Sequence, residues 1–478
     1  MPKETAERPL IGRQAEKLIM LETLQSDKSE LIAIYGRRRV GKTYLIRQVF
    51  QNKISFELSG SVDAPIEIQL ANFAKQLDSR MTTGIKLSVP ANWPEAFDML
   101  KVYLTKLNKE GKKVVFFDEL PWLDTMHSGF LSALDYFWNS WCTKRSDIVM
   151  VVCGSAASWM IEKVIQNKGG LHNRITRKIR LLPFTLTETR AFLQYKQIAL
   201  DEHQIAQLYM VAGGVAHYLD AVQRGKSATQ NIDLLCFHEN GMLRHEFEQL
   251  YHSLFRNAHR HIAIIRALSK KNIGLTRSEI AQAVQMQSGG NLSQILKELE
   301  ESGFIMTSRQ PHRKLKDMVY RLTDEYSCFY LRFIEPNPGA AAGAWALLSQ
   351  KPAWKAWSAY AFETLCLKHI QRIKEVLQMG SIYSEQYAWY DKNEGAQIDL
   401  IIERADQCIN LCEIKFTKSP YEITAADSRA IQHKAMAFRS KMGSNQTIFN
   451  TWITSYGLKK NKWYPGCVDV EVQLEQLF

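Results

Sequence analysis

The stretch "LIAIYGRRRVGKTYLIRQVF", residues 31–50, decides the fold of the N-terminal part of the chain. It reads as an apolar strand, a tight loop and an amphipathic helix. Within it, Gly36 to Thr43 satisfies the pattern G-x-x-x-x-G-K-[ST], in which backbone N–H groups at a helix N-terminus cradle phosphate. Gly36 and Gly41 shape this loop. We predict that it binds ATP, with Lys42 reaching the β- and γ-phosphates and Thr43 holding Mg²⁺.

A second segment, "KKVVFFDELPWL", supports the nucleotide prediction. It is typical of a buried strand that ends in Asp118 and Glu119, where parallel α/β sheets bind ligands. We expect Asp118 to hold Mg²⁺ and Glu119 to act as the general base that polarises the attacking water. This role favours ATP hydrolysis over passive binding. The alternative, an acidic pair that only caps a helix, would be credible if the phosphate-binding loop were absent.

A third apolar strand, "DIVMVVCGSAAS", ends at Ser155, whose hydroxyl is placed to sense the γ-phosphate. Beyond it, "GLHNRITRKIRLLPF" carries Arg174, Arg177 and Arg180. One of these arginines is a candidate arginine finger for a neighbouring subunit, a role that requires a homo-oligomer. For Arg177 and Arg180 we favour the simpler interpretation, a solvated basic strand.

The composition of the chain is that of an ordinary globular protein. Its 478 residues, 46% hydrophobic and 23% charged, predict about three domains. A net charge of +12 permits a polyanionic partner. Eight cysteines without a CxxC pair indicate reduced thiols and no zinc site. No apolar run is long enough to cross a membrane and no signal peptide begins the sequence, so we expect a cytoplasmic protein.

The middle of the chain has the pattern of a winged helix-turn-helix, a fold that often binds DNA. After a helical stretch, Thr276 and Glu279 form a capping-box start, and a further helix is predicted from Asn291 to Ser302. Three helices and a β-wing make a winged helix-turn-helix, whose last helix enters the major groove while the wing, "RQPHRKLK", follows phosphates. One observation opposes DNA contact: that helix carries Lys297 among acidic residues, Glu298, Glu300 and Glu301. A protein-contact module therefore remains the alternative.

The C-terminal sequence "GAQIDLIIERADQCINLCEIKF", residues 395–416, predicts a β-hairpin. If its turn centres on Asp406, then Asp399 lies opposite Glu413, and both share one face with Lys415. Like charges directly opposite each other destabilise a sheet, so a divalent cation is the economical compensation. The alternative is a solvated amphipathic hairpin. The other face, with Ile398, Leu400, Cys412, Ile414 and Phe416, is predicted to be core.

The N-terminal half resembles the prokaryotic AAA-like ATPases related to the STAND lineage. The resemblance rests on "PLIGRQAEKLIML", "GRRRVGKT", "VVFFDELPWL", "VVCGSAASWM", "NRIT…LLPF" and "GGVAHYL". It implies that Arg13 lies by the adenine and that Arg174 is the family's motif arginine. The sequence departs from the family at Ala216, where a proline is usual in the lid.

The tail resembles the PD-(D/E)xK restriction-endonuclease-like fold in its order of a helix with glutamate, a strand with aspartate and a strand with Glu-x-Lys. The resemblance implies an active-site triad of Asp399, Glu413 and Lys415, with Glu363 as an accessory carboxylate. In that family the carboxylates hold Mg²⁺, and Mn²⁺ is possible, for attack on a phosphodiester. Ile398 stands where the name-giving proline is usual, although all three charged groups are present.

These resemblances predict a multidomain α/β protein. Its predicted parts are a P-loop parallel-sheet ATPase (1–185), a helical lid (186–250), a winged helix-turn-helix (251–335), a linker (336–345) and a restriction-endonuclease-like α/β domain (346–478). The favoured function is an ATP-regulated, metal-dependent DNase that binds DNA and forms homo-oligomers. An activating protein is a further candidate partner. The alternatives are a nucleotide-controlled switch with a non-cleaving tail, and an ATP-dependent scaffold for another protein.

Overall fold

The computed structural model describes residues 9–81, 87–125, 127–166, 171, 173–255, 257–308, 318–391, 393–442 and 445–478. The chain forms two compact units. The first comprises residues 1–183 with 253–256 and 297–303, and the second comprises 184–252, 257–296 and 304–478. The second unit contains the predicted lid, most of the predicted winged-helix segment and the predicted C-terminal domain.

The first unit is built on a five-stranded parallel sheet in the order β2-β3-β4-β1-β5. Its strands are β1 (Glu30–Tyr35), β2 (Ile54–Ser59), β3 (Lys113–Asp118), β4 (Ile148–Gly154) and β5 (Arg177–Arg180). Its helices are α1 (Gln14–Gln25), α2 (Lys42–Phe50), α3 (Ile66–Asp78), α4 (Trp93–Lys106), α5 (Leu120–Leu123), α6 (Phe130–Ser140) and α7 (Ala157–Trp159), which continues as a π-helical turn over Met160–Ile165.

Successive residues of the central strands are buried in different apolar clusters, so the sheet is covered on both faces. Val115 and Phe117 of β3 pack in one cluster, while Val114 and Phe116 pack in the other. This two-sided burial explains the unbroken apolar runs in the sequence. It leaves the carboxyl ends of β1, β3 and β4 as the edge at which polar side chains gather.

The second unit begins with helices α8 (Leu186–Tyr195), α9 (Glu202–Ala212), α10 (Ala216–Asp220), α11 (Ala228–Cys236) and α12 (Glu246–His252). Next come α13 (Ala258–Ser269), β6 (Leu275–Thr276), α14 (Arg277–Ala283), α15 (Gly290–Glu301), β7 (Ile305–Ser308) and β8 (Val319–Leu322). The last five residues of α15 group with the first unit. The three strands form an antiparallel sheet in the order β6-β8-β7.

Two sequence predictions can be checked in this segment. The capping box of Thr276 and Glu279 is confirmed, because each side chain meets the other residue's backbone N–H. The helix predicted over 291–302 is present as α15. The predicted wing, residues 309–316, lies outside the described residues.

The remainder of the second unit surrounds a five-stranded mixed sheet in the order β15-β13-β11-β10-β9. Its strands are β9 (Ser384–Asp391), β10 (Ala396–Arg404), β11 (Cys408–Lys415), β13 (Thr447–Thr454) and β15 (Val470–Gln473), with a separate parallel pair of β12 (Tyr421–Glu422) and β14 (Leu458–Lys459). Its helices are α16 (Glu325–Phe329), followed by a π-helical turn over Tyr330–Ile334, then α17 (Ala344–Leu348), α18 (Pro352–Lys368), α19 (Ile370–Val376), α20 (Ala425–Met442) and α21 (Tyr464–Cys467).

The register of the predicted hairpin is confirmed. Leu400 pairs with Cys412 and Glu403 with Ile409 across β10 and β11, which centres the turn on Asp406. The predicted alternation of faces is wrong at one place. A bulge between Ile398 and Ile401 opposite β9 puts both residues in one apolar cluster. A bulge inserts an extra residue and so breaks the strict period of two.

The predicted linker, residues 336–345, is anchored. Asp233 of α11 accepts hydrogen bonds from the backbone N–H of Gly343 (2.7 Å) and of Trp345 (2.9 Å). The Trp345 ring is buried and stacks on Phe237, with ring centroids 5.9 Å apart. Although it is rich in Pro, Gly and Ala, the segment between α16 and α18 is therefore held by specific contacts.

Helix α9 is joined to the end of β11 by an aromatic stack. The His203 ring lies 4.7 Å from the Phe416 ring and 4.8 Å from the Tyr456 ring, centroid to centroid. Its Nε2 atom lies 3.1 Å from the Thr417 carbonyl oxygen. Burial lowers the pKa of His203, which favours the neutral ring in this stack.

Candidate functional sites

The loop between β1 and α2 has the geometry of a phosphate-binding loop. Gly36 and Gly41 adopt positive φ angles of 152° and 93°, which favour glycine. A side chain on Gly36 would also place its Cβ 2.2 Å from the Leu181 carbonyl oxygen. The Lys42 ammonium donates to the carbonyl oxygens of Gly36 (2.9 Å) and Arg37 (3.0 Å), so it lies inside the loop.

The two predicted Mg²⁺ ligands of this site lie together. The Thr43 hydroxyl donates to the Asp118 carboxylate over 2.7 Å, although the residues are 75 positions apart. Burial raises the pKa of Asp118, with a smaller opposing effect of the Thr43 hydrogen bond. A buried carboxylate beside a hydroxyl is a donor set that suits Mg²⁺.

Glu119, the candidate general base, is hydrogen-bonded to Ser155, the candidate γ-phosphate sensor. Ser155 donates to one Glu119 carboxylate oxygen twice, from its backbone N–H (3.0 Å) and from its hydroxyl (2.8 Å). Glu119 itself adopts the left-handed region, with φ 48°, a conformation that is uncommon outside glycine. Ser155 therefore fixes one oxygen of the Glu119 carboxylate at the carboxyl end of the sheet.

The predicted arginines occupy different surroundings. Arg13 is buried at the start of α1, and its guanidinium lies 3.3 Å from the carbonyl oxygen of Val40 in the phosphate-binding loop. Arg174 is exposed, as delivery to a neighbouring subunit would require. Arg180 is exposed too, yet its guanidinium donates to the carbonyl oxygens of Glu300 (3.1 Å) and Glu301 (3.0 Å), which the solvated-strand interpretation did not foresee.

The glycine pair of the lid motif is closely packed. A Cβ on Gly214 would lie 1.9 Å from the Phe184 carbonyl oxygen, and one on Gly213 would lie 2.9 Å from the Glu325 carboxylate. Ala216, at the position of the family's proline, begins helix α10. The glycines are therefore needed for packing within the second unit.

A second group of charged side chains lies on β10, β11 and the helices beside them. The backbone N–H of Ile414 donates to Asp399 over 3.3 Å, so the aspartate lies against the Glu-x-Lys strand. Glu413 is held by two ammonium groups: Lys415 lies 2.7 Å from one carboxylate oxygen and Lys434 lies 2.6 Å from the other. Sequence reasoning assigned no role to Lys434, which α20 carries to this group.

The accessory carboxylate predicted at Glu363 also has a cationic partner. The Arg321 guanidinium, from β8, lies 3.2 Å from the Glu363 carboxylate. Among the described residues, the remaining carboxylate, Asp399, forms no ion pair. The arginine and its contact were not foreseen from the sequence, because the two residues lie 42 positions apart in different elements.

The protonation of these carboxylates differs with their partners. Burial, with repulsion from Glu363 and Glu413, raises the pKa of Asp399 to about 7. Burial also acts on Glu413, but the ammonium groups of Lys415 and Lys434 hold the pKa of that carboxyl below its usual value. An added cation would therefore stabilise the ionised form of Asp399 more than that of Glu413.

Two further features bear on ligands and location. Within the described ranges, no group of three or more His, Cys, Asp or Glu side chains is arranged to hold a metal ion. Glu413 in particular already has an ammonium group on each carboxylate oxygen. All eight cysteines are free thiols. No helix in the described part of the chain is both long and apolar enough to cross a membrane.

Comparison with known proteins identifies the nucleotide-binding part. Residues 11–222 match a family described as an ATPase domain predominantly from Archaea. A protein of Methanocaldococcus jannaschii, itself described as uncharacterized, is 25% identical over 395 residues, which cover 82% of this chain and 83% of that protein. The family match and the geometry of the phosphate-binding loop identify this segment as an ATPase domain of the P-loop type.

Solved structures are similar at a lower level. The Walker-type ATPase of Pyrococcus abyssi is 18% identical, with a TM-score of 0.48 over 68% of this chain and 99% of that one. The ORC2 protein of Aeropyrum pernix is 17% identical, with a TM-score of 0.43 over 70% of this chain and 96% of that one.

Proposed function

We propose that this protein hydrolyses ATP, binds DNA and cleaves it at a metal-dependent centre in its C-terminal part, with the nucleotide state controlling oligomerisation or cleavage. The observation that carries the nuclease proposal is the hairpin register. The pairing of β10 with β11 extends to Leu400 and Cys412, and Asp399 and Glu413 are the next residues along the two strands. The Ile414 backbone N–H donates to Asp399 over 3.3 Å, and Lys415 follows on the same strand. Opposed carboxylates are costly in a sheet and are typical of a cation site.

In the ATPase domain the roles follow from the contacts. Lys42 and the loop glycines would bind the phosphates, while Thr43 and Asp118 would hold Mg²⁺. Glu119, held by Ser155 through one carboxylate oxygen, would polarise the attacking water with the other, and the Ser155 hydroxyl would sense the γ-phosphate. Arg13 lies close enough to the loop to contribute to the nucleotide pocket.

In the C-terminal centre, Asp399 and Glu413 would hold a Mg²⁺ or Mn²⁺ ion, with Glu363 nearby. Hard carboxylate oxygens are the donors that such an ion prefers, but Lys415 and Lys434 would have to release Glu413 before it could bind the ion. When bound, the ion supplies an activated water and neutralises phosphate charge. Lys415 would steady the negative charge that develops on the phosphodiester.

The surrounding elements support a DNA partner. Three helices with a three-stranded antiparallel sheet, α13 to β8, have the order expected of a winged helix-turn-helix. The net charge of +12 favours a polyanion. The exposed Arg174 is available as an arginine finger in a homo-oligomer, and an activating protein partner would fit a nuclease that is held off at rest.

The alternative is an ATP-driven switch that binds DNA or protein through a non-cleaving C-terminal part. One observation favours it: both carboxylate oxygens of Glu413 are occupied by the lysines Lys415 and Lys434. A carboxylate satisfied in this way can serve a purely structural centre, in which ion pairs replace the metal.

The decisive experiment is cleavage of plasmid, linear duplex, single-stranded DNA and RNA, with Mg²⁺ or Mn²⁺ and with or without ATP. The wild type is compared with Asp399→Asn and Lys415→Ala, and Lys418→Ala serves as the matched control because this exposed lysine lies only three residues further along. We expect cleavage by the wild type and the control, and loss in both site variants.

The other outcomes discriminate between the proposals. Cleavage that persists in both site variants would assign the activity elsewhere or to a contaminant. If no substrate is cleaved but DNA binding changes with the nucleotide, the switch is the function. Association that is insensitive to salt, with no DNA binding, would favour a protein scaffold, since phosphate contacts weaken steeply with salt.

A further inference from the structure

A basic segment of the second unit, "LKKNKWY", residues 458–464, joins β14 to α21. We call it the lysine turn, because it carries Lys459, Lys460 and Lys462, all of them exposed. Lys459 lies 3.3 Å from Glu422, in a pair whose side chains are 57% and 60% exposed, so this pair stabilises the fold little. In the described part of the chain, Lys460 and Lys462 form no ion pair.

Hydrogen bonds and ring packing fix the conformation of the lysine turn. The Asn461 side-chain amide donates to the Ile423 carbonyl oxygen over 2.8 Å, and the Asn461 side-chain oxygen accepts from the Trp463 N–H over 3.0 Å. The Trp463 ring packs against an apolar cluster that includes Ile423 and Trp452, and the Lys462 ammonium lies 5.1 Å from the centroid of that ring. Because the ring is used in packing, the turn offers its ammonium groups to solvent, and these suit phosphate oxygens rather than stacked bases.

Tyr421 connects the lysine turn with the charged side chains of β11. It pairs with Leu458, the first residue of the turn, across β12 and β14. The Lys415 ammonium lies 5.8 Å from the centroid of the Tyr421 ring. Lys415 and Lys434 both pair with Glu413, and two ammonium groups with one carboxylate leave a net charge of +1 at that position. The lysine turn therefore extends a positive surface that begins at the end of β11.

The other carboxylates beside the turn already accept hydrogen bonds. The Tyr421 hydroxyl lies 3.0 Å from each carboxylate oxygen of Asp427, and Glu471 accepts from the Leu458 N–H over 2.9 Å. Three ammonium groups within four residues repel one another, and an anion placed between them relieves this repulsion. The described residues supply Glu422 alone as an ion-pair partner for the turn, whereas a nucleic acid supplies a row of phosphates.

We propose that the lysine turn binds the phosphate backbone of DNA and holds it beside Lys415 at the end of β11. The contact is independent of base sequence, because ammonium groups that meet phosphates carry no information about the bases. The turn is a second DNA contact in addition to the winged helix-turn-helix, and it requires no metal ion. This inference rests on the proposed function, since it concerns the same DNA partner.

The test is binding of a short labelled DNA duplex of mixed sequence to the full chain, measured by fluorescence anisotropy over a range of salt concentrations. It is done once with a chelator and once with Mg²⁺ and a non-hydrolysable ATP analogue. Each lysine that holds a phosphate adds about 0.9 to the steepness with which log K falls with log salt. In the double variant Lys460→Gln/Lys462→Gln we therefore expect this slope to become shallower by about 2, and binding at about 0.1 M salt to weaken roughly 60-fold.

The charge-matched control is Lys351→Gln/Lys355→Gln at the start of α18. It also removes two exposed lysines that form no ion pair within the described ranges, and it should leave the salt slope unchanged. The variant Lys460→Arg/Lys462→Arg keeps both charges and should bind as the wild type does. Circular dichroism melts check that each variant folds.

Three results would overturn the inference alone. In the first, the wild type binds DNA but Lys460→Gln/Lys462→Gln binds with the same salt slope. In the second, the control on α18 weakens binding equally, which would make the effect one of net charge. In the third, the glutamine variant binds DNA normally but loses binding to polyglutamate, which would assign the turn to an acidic protein. Absence of DNA binding by the wild type in both conditions would overturn this inference together with the proposed DNA-binding function.

Discussion

The raised pKa of Asp399 has a consequence for stability that can be measured without knowing any substrate. Burial and the neighbouring carboxylates raise this pKa from 3.8 to about 7. Between these values the folded protein keeps a proton that the unfolded chain has released. The free energy of unfolding therefore falls as the pH rises through this window. The shift of about 3 units corresponds to a total loss of about 4 kcal/mol above pH 7, at about 1.4 kcal/mol per unit.

The measurement compares the wild type with Asp399→Asn by urea unfolding at intervals between about pH 4 and 7.5 in the presence of a chelator. The asparagine keeps the size of the side chain and an oxygen for the Ile414 N–H, but it cannot ionise. The difference between the two free energies of unfolding cancels the contribution of groups such as His369. Burial lowers the pKa of His369 to about 4, so its contribution to stability rises with pH.

We expect the stability of the wild type relative to Asp399→Asn to fall by about 4 kcal/mol between pH 4 and 7.5. Added Mn²⁺ at the higher pH should recover part of that loss in the wild type and leave the variant unchanged. Parallel curves for the two proteins would show that Asp399 ionises normally and is not in a group of repelling carboxylates.

The remaining predictions concern the ATPase domain and the packing of the second unit. Glu119→Gln should reduce ATP hydrolysis, measured as phosphate release, by about 10²- to 10⁴-fold. Titration with a fluorescent nucleotide should show that the variant still binds; an equal loss of binding would contradict a general-base role. Gly214→Ala should lower the free energy of unfolding by about 1–3 kcal/mol, because its Cβ would lie 1.9 Å from the Phe184 carbonyl oxygen. The control Gly289→Ala has no atom within 4 Å of the added Cβ, so it should change the free energy of unfolding by less than about 0.5 kcal/mol. Thr185→Ala should cost about 1 kcal/mol in urea unfolding, since it removes the capping box of α8, and Thr185→Ser should restore most of that loss.

The hairpin shows how far the sequence can lead. The turn centre at Asp406 follows from the spacing of apolar residues, and the register follows from the turn, so the pairing of Leu400 with Cys412 was predictable. The bulge between Ile398 and Ile401 was not, because it depends on pairing with β9, which lies across the other edge of β10. A period of two in one strand carries no information about an extra residue accommodated by its neighbour.

Contacts between distant segments account for the other omissions. The sequence placed Ser155 and Glu119 at the ends of two strands, and these strands are neighbours in the sheet. It did not predict the direct hydrogen bond between the two side chains. Lys434 and Arg321 carry no local motif, since any exposed helix or strand can bear a basic residue. Only the packing of α20 and β8 beside the carboxylates distinguishes them from solvated charges.

The predicted linker illustrates a limit of composition. A segment rich in proline, glycine and alanine is typical of a linker between domains. A single buried ring changes the outcome, because Trp345 packs on Phe237 and Asp233 holds the backbone beside it. Composition reports how a segment behaves alone, whereas one aromatic side chain can fix it to a distant helix.

The aromatic stack of His203 with Phe416 and Tyr456 bears on how this protein can be divided. A fragment that begins after the predicted linker would retain Phe416 and Tyr456 but lose the helix that covers them. The Phe416 ring would then keep its contact with Phe362, with ring centroids 5.1 Å apart, but both it and the half-exposed Tyr456 ring would lose the His203 ring that stacks on them. Expression of the C-terminal part alone would thus test a different molecule, and recombination in evolution could transfer it intact only together with the helices that precede it.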